Sequence, residues 1–198
     1  MADSEDLKLL ESGSKDLTSC DFRGANLAGK DLSGANLTGS HLEKANLRGA
    51  NLQHANLTRS RTVQANFSDA NLEGAVLGKP LVAVNFSGAN LRKAKFTGVL
   101  QKVTFDKADL RGADFAGCTR NEGCTFADAK YDGTTNFTGV KTLRSIAREA
   151  PFSGYQFARE GLIPGSDPHP QPESDVRSPQ ATSLPETQEA AGPEQPTR

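Results

Sequence analysis

The chain has 198 residues, of which 35% are hydrophobic and none is Trp, and its formal net charge is −1. Its longest apolar runs are only a few residues, too short to cross a bilayer, and the near-neutral balance offers no strong pull toward nucleic acid or anionic lipid. With 3 Cys, no disulfide framework holds the fold together, so another device must supply the core.

The amino terminus, residues 1–13, is acidic and lacks the apolar stretch of a secretory signal, which makes the cytoplasm the expected compartment. Ser4 is placed to cap a short helix ahead of Glu5 and Asp6, with Leu7, Leu9 and Leu10 covering whatever follows.

From residue 14 onward a five-residue repeat takes over. Leu17, Phe22, Leu27, Leu32, Leu37, Leu42, Leu47, Leu52 and Leu57 follow without a miss; Thr62 is the first gap, and Phe67, Leu72 and Leu77 resume the phase. A small residue sits two positions before most centres, as in Ala25, Ala35, Ala45 and Ala50, and Asn or Asp usually lies between. On an α-helix such a period rotates successive Leu by roughly 140°, so no apolar stripe forms. In a strand, residues two apart share a face, so each unit reads as a very short strand with Ala and Leu inward and Asn outward. The remaining pair, often Thr-Gly, Ser-Gly or Arg-Gly, turns the chain.

The breaks in the pattern set the length of a coil. Irregular segments begin near Arg59, Gly78, Thr97 and Ala116, 19 residues apart. Phe67, Phe86, Phe105 and Phe126 form one aromatic series and Phe96, Phe115 and Phe137 another, at spacings of 19 to 22. Four units per coil follows, with like residues stacked on like. About six coils fit between residues 15 and 140, a rod of about 29 Å at the ~4.8 Å strand spacing.

The repeat, read as A-N-L-x-G, resembles the pentapeptide-repeat family over roughly residues 14–140. The resemblance implies an all-β fold, a right-handed quadrilateral β-helix, here with short helical caps. It implies no single role: members protect bacterial DNA gyrase, regulate cyanobacterial differentiation or reside in the thylakoid lumen, so function must be sought in the departures from the repeat.

A carboxyl-terminal helical cap is expected over 141–163, with a helix over 142–150 and Leu143, Ile146, Phe152, Phe157 and Leu162 closing the rod's open end. From Pro164 the chain holds 8 of its 10 Pro and six acidic residues against two Arg, a composition that predicts a disordered tail over 164–198.

No catalytic, cofactor or metal constellation is read. His41 and His54 fall on outward positions of separate units, without the second ligand or base that metal or nucleophile chemistry needs. The stretch from Gly24 to Lys30 imitates a phosphate-binding loop, but Asp31 stands where Ser or Thr is needed. Cys20, Cys118 and Cys124 read as small inward residues; a disulfide between Cys118 and Cys124, clasping the loop between them, is the alternative. Glu73, Arg92, Arg111 and Asp132 should stack as a ladder of exposed ion pairs.

The irregular segments 59–64, 78–84, 97–103 and 116–123 depart at one angular position and should line one side of the rod. Their candidate contacts are Arg61, Lys79, Val82, Gln101, Lys102, Arg120 and Glu122, mixed in character and suited to a protein partner. The expected protein is therefore a non-enzymatic interaction scaffold, monomeric or dimerised end to end, with no nucleic-acid or membrane partner. The alternative is a DNA-mimicking gyrase or topoisomerase protector, for which a rod carrying +4 between residues 14 and 140 has the wrong sign of charge.

Overall fold

Each five-residue unit makes one rung, and the rungs pair in parallel with the unit one coil on. One ladder runs Asp16, Asn36, Asn56, Val76, Lys95, Asp114, Asn136, and the other sides carry equivalent ladders beginning at Asp21, Asn26 and Asp31. These define four sides, called first to fourth in the order in which Asp16, Asp21, Asn26 and Asp31 enter them. The coil step is 20 residues at the amino-terminal end, 19 in the middle and 22 at the last rung of the first side. The computed structural model describes residues 2–78, 80–138 and 140, and the backbone of 155–158 and 161–164.

The inward register matches the sequence pattern. Leu17, Phe22, Leu37, Leu42, Leu47 and Leu52 are fully buried, as are Ala35, Ala50 and Ala55 between them. The two Phe series stack as separate columns: Phe86 lies 5.2 Å from Phe67 and 5.5 Å from Phe105, and Phe115 lies 4.5 Å from Phe96 and 5.3 Å from Phe137. Because the first and third sides face one another across the lumen, the columns also meet edge to face, as Phe105 does with Phe96 at 5.6 Å and Phe115 at 5.8 Å.

Asn recurs because it satisfies two demands at once. Its carboxamide oxygen accepts the backbone N–H two residues on, as Asn46 does from Arg48 at 3.2 Å, which holds the turn. Its Nδ2 donates to the equivalent residue one coil before, from Asn46 to Asn26, Asn66 to Asn46 and Asn85 to Asn66 at 3.1 to 3.4 Å. The corner that follows needs a left-handed residue. At Gly88 φ is +70°, and an added Cβ would come 2.6 Å from Asp69 Oδ1, so only glycine fits there without rearrangement.

Helix α1 (Ser4–Glu11) covers the amino-terminal end. Its cap is Asp3 rather than Ser4: Asp3 Oδ1 accepts from Glu5 N at 2.8 Å, and Ser4 is the first helical residue. Asp6 Oδ2 accepts from Asp21 N and Asp3 N donates to Asp21 O, so the helix pairs part of the first coil's open edge. Leu10 is buried and Leu7 half-buried against the core, whereas Leu9 is 40% exposed and turns away from the coil.

Longer strands appear where the repeat breaks. The two-residue strands β1 (Asn56–Leu57), β2 (Val76–Leu77) and β3 (Leu81–Val82) lead to β4 (Lys95–Gln101) and β5 (Asp114–Glu122), which have 7 and 9 residues. β4 pairs with β2 and β3 on one flank and with β5 on the other. The segment between Cys118 and Cys124 is therefore largely strand, not loop. The expected helix over 142–150 lies outside the described residues, as does the tail over 165–198. Within 151–164, β6 (Tyr155–Ala158) and β7 (Gly161–Pro164) form an antiparallel pair rather than a helix.

Two core positions, Ser40 and Thr62, work against the rod. Thr62, the gap in the Leu column, is fully buried, and its Oγ1 has no hydrogen-bond partner among the described residues. Thr62→Val keeps the shape and removes the unpaired hydroxyl, and it should raise stability by about 1–2 kcal/mol. Ser60→Ala removes a hydroxyl that donates to Leu57 O at 2.7 Å and should lower stability by about 1 kcal/mol. Paired thermal and urea melts check the opposite signs.

Candidate protein-interaction face

The departures from the repeat gather on the second side and its two corners. Five hydrogen bonds stack one outward column: Gly24 N to Glu43 O, Lys44 N to Val63 O, Gln64 N to Val82 O, Ala83 N to Gln101 O and Lys102 N to Glu122 O, at 2.7 to 2.9 Å. Val82, Gln101 and Glu122 thus form consecutive rungs, as the strand register also has it. Arg61 lies on the same side, paired with His41. Lys102 follows Gln101 at the corner toward the third side, and Arg120, opposite Val99, stands in the outward column that Arg61 occupies two coils earlier than Val99. Six of the seven residues expected on this face are thereby brought to one side; Lys79 lies outside the described residues.

Glu43, Lys44, Arg59, Val63 and Val99 also belong to this face. Val63 is 39% exposed and stacks under half-buried Val82 in one outward column, and Val99 is half-buried in the other, next to Arg120. Lys44, Arg59 and Lys102 are exposed at the two corners and Arg120 on the face between them, and none of the four forms an ion pair among the described residues. An open depression lined by Arg23, Gly24, Glu43 and Lys44 marks the amino-terminal end.

Charge is segregated. Among described residues this side and its corners hold six basic groups against Asp21, Glu43 and Glu122, whereas the other three sides between residues 14 and 140 hold nine of each sign. Sorting charges by coil position would have found this from sequence; totalling them along the chain does not. Some are neutralised locally. Arg23 holds the Asp21 carboxyl well below the usual range through a bidentate hydrogen bond, and Arg61 Nε pairs with Glu43 Oε1 at 3.0 Å. The Lys and Arg at the corners remain available.

The interior behind this face is the least apolar wall of the rod. Of five buried polar residues among those described, Ser40, Ser60, Thr62 and Asn121 lie on the second side, and Thr135 on the first. Cys118 and Cys124 are free, buried thiols rather than a disulfide. Burial pushes the Cys118 thiol up to about 12, so it is protonated at neutral pH and a poor nucleophile. The cysteines act as small inward residues, Cys124 following Val103 in its column.

The remaining expected site features lie elsewhere. Glu73, Arg92, Arg111 and Asp132 stack on the fourth side as expected, yet Arg111 donates to Asp109 of its own unit at 2.5 and 2.9 Å. Asp109 is held low mainly by that hydrogen bond. His54 occupies a left-handed corner position with φ 58° and is exposed. Among the described residues no cluster of His, Cys, Asp or Glu has metal-binding geometry, and no helix is long and apolar enough to cross a membrane.

A parallel four-sided coil of five-residue rungs is the architecture of a β-solenoid. The Pentapeptide repeats family model matches in 8 copies at residues 16–53, 50–79 and 81–119, more than half of the chain, and the chain belongs to that family. Among solved structures, the pentapeptide repeat protein Rfr23 from the cyanobacterium Cyanothece 51142 is 26% identical over 67% of this chain and 97% of its own, with a TM-score of 0.35. HetL of Nostoc sp. strain PCC 7120, a protein involved in heterocyst differentiation regulation, is 26% identical over 63% of this chain and 67% of its own, with a TM-score of 0.37. Full-length QnrB1, a plasmid-mediated fluoroquinolone resistance protein, is 18% identical over 66% of this chain and 83% of its own, with a TM-score of 0.34. No curated protein matches the chain.

Proposed function

We propose that this protein is a non-enzymatic scaffold that presents the second side of a rigid rod to a protein partner. The observation carrying this reading is the stacking of the irregular segments in register on the one side that also concentrates the rod's excess positive charge. A surface held by continuous backbone ladders is already ordered, so binding costs little conformational entropy. Its mixture of exposed cations, partly exposed valines and polar Gln101 has the composition of a non-obligate protein interface, about as apolar as the rest of a protein surface. A gyrase-directed DNA mimic needs dense acidic charge aimed at a basic channel, and the net +4 between residues 14 and 140 speaks against that role.

The test compares proteins captured from the native organism by the wild type and by two triple variants. Arg61→Ala/Gln101→Ala/Arg120→Ala should lose the specific partner, whereas Arg48→Ala/Ser68→Ala/Lys107→Ala on the third side should keep it. Equal capture by both triples would reject the face. Purified gyrase should supercoil DNA normally at micromolar protein; inhibition or protection that survives the first triple would reject the scaffold reading itself.

A further inference from the structure

The register gives the second side a definite order of charge and apolar surface along the rod. In the outward column that begins at Asp21, exposed Pro80 and half-buried Val99 stand one above the other, with Arg61 one coil below and Arg120 one coil above. In the neighbouring outward column Val63 and Val82 stack beside them, over Glu43 and under Gln101. The four apolar side chains form one patch three rungs high, and cations flank it along the rod axis. Below it Lys44, Arg59 and Arg61 stand against Glu43, which Arg61 already holds. Above it Lys102 and Arg120 stand against Glu122. Both ends are positive around a neutral middle.

The patch offers side chains only, because the backbone of these rungs pairs with the coils above and below. An extended peptide laid on it would press its own amides against valine and proline without partners. A helix keeps its amides paired internally and presents a stripe of side chains. The dimensions suit one. From Lys44 to Lys102 the corner column climbs three coil steps, about 14 Å at ~4.8 Å each. Two helical residues eleven apart are separated by about 16 Å and return to within ~20° of the same face. We propose that the partner docks here through an amphipathic helix bearing two carboxylates eleven residues apart, with apolar side chains four and seven residues after the first. The apolar pair lies on Val63, Val82, Pro80 and Val99, while one carboxylate faces the lower cations and the other faces Lys102 and Arg120. This rests on the scaffold reading and supplies the chemistry of the partner.

The probe is a synthetic helix of Ala and Gln with Glu at positions 3 and 14 and Leu at positions 7 and 10. Titrated into the full-length, ¹⁵N-labelled chain at low salt, it should shift the amides of Val63, Val82 and Val99 and leave Ser68 and Asn90, on the third and fourth sides, unmoved. Exchanging both Glu for Lys, or both Leu for Ala, should weaken binding by about tenfold or more, as should Lys102→Glu/Arg120→Glu in the protein. The peptide exchanges keep the test decisive if that variant folds poorly. A form with Pro at position 8, which cannot stay helical, should also lose binding. No shift, equal shifts on all four sides, or equal binding by the Lys or Pro form would overturn the proposal. So would shifts of the same amides that grow with protein concentration without peptide, which would give the face to a second copy. In the capture experiment excess probe should displace the partner; a partner retained against it would overturn the helix. If no specific partner is captured, the scaffold reading fails on its own, since the titration needs no partner.

Discussion

Leu52→Lys is expected to abolish cooperative unfolding. Leu52 is fully buried in the fourth side's column between Leu32 and Leu72, with its coil paired above and below. Lysine there places an ammonium among stacked aliphatic side chains with no acceptor, at a cost of several kcal/mol. In a solenoid each coil is held chiefly by its neighbours, so one lost coil uncouples the two halves. Gln53→Lys, one residue along and facing outward, should change stability by less than about 0.5 kcal/mol. Circular-dichroism melts of the two variants check this; coincident curves would mean that the inward and outward register is reversed.

Phe105→Ala should produce the next largest loss, about 3–5 kcal/mol. Phe105 touches four other rings: Phe86 at 5.5 Å and Phe126 at 4.9 Å in its own column, and Phe96 and Phe115 across the lumen. Truncation leaves a cavity that rigid backbone ladders on every side prevent from collapsing. Phe22→Leu exchanges a ring for the residue standing at most other centres and should cost less than about 1.5 kcal/mol. Urea denaturation of both variants measures the contrast, and equal losses would show that the ring stack contributes nothing beyond burial.

The inward register was legible because a five-residue period with small and large apolar slots has one economical solution, short strands joined by corners. Coil length was legible because Thr62 and the segments that follow break the pattern at near-constant intervals. The two Phe series gave the stacking directly. Their edge-to-face contacts were not legible, because these depend on the first and third sides facing one another, which no spacing along the chain encodes.

Other misses have similar local causes. Asp3 displaced Ser4 as helix cap because both residue types accept the same N–H groups, and the bond from Asp3 N–H to Asp21 O on the first coil decides which one is in place. Arg111 turned to Asp109 within its own unit because two residues' separation on one strand allows a bidentate hydrogen bond that a partner one coil away does not match. The segments 97–103 and 116–123 read as irregular because they lack the Ala-Asn-Leu grammar. Their Thr, Val and Cys residues favour extended backbone, and β2 and β3 gave the first of them partners while β4 gave the second its own.

Distance measurement by electron–electron double resonance between spin labels on Thr18→Cys and Thr138→Cys tests the stacking most directly. Both residues project from the first side, separated by the six coil steps of the Asp16-to-Asn136 ladder. Stacked four-sided coils place their backbones about 29 Å apart at ~4.8 Å per step, in a narrow distribution. A distance well beyond this, or a broad distribution spanning tens of ångströms, would contradict the four-sided rod and with it the gathering of the irregular segments on one face.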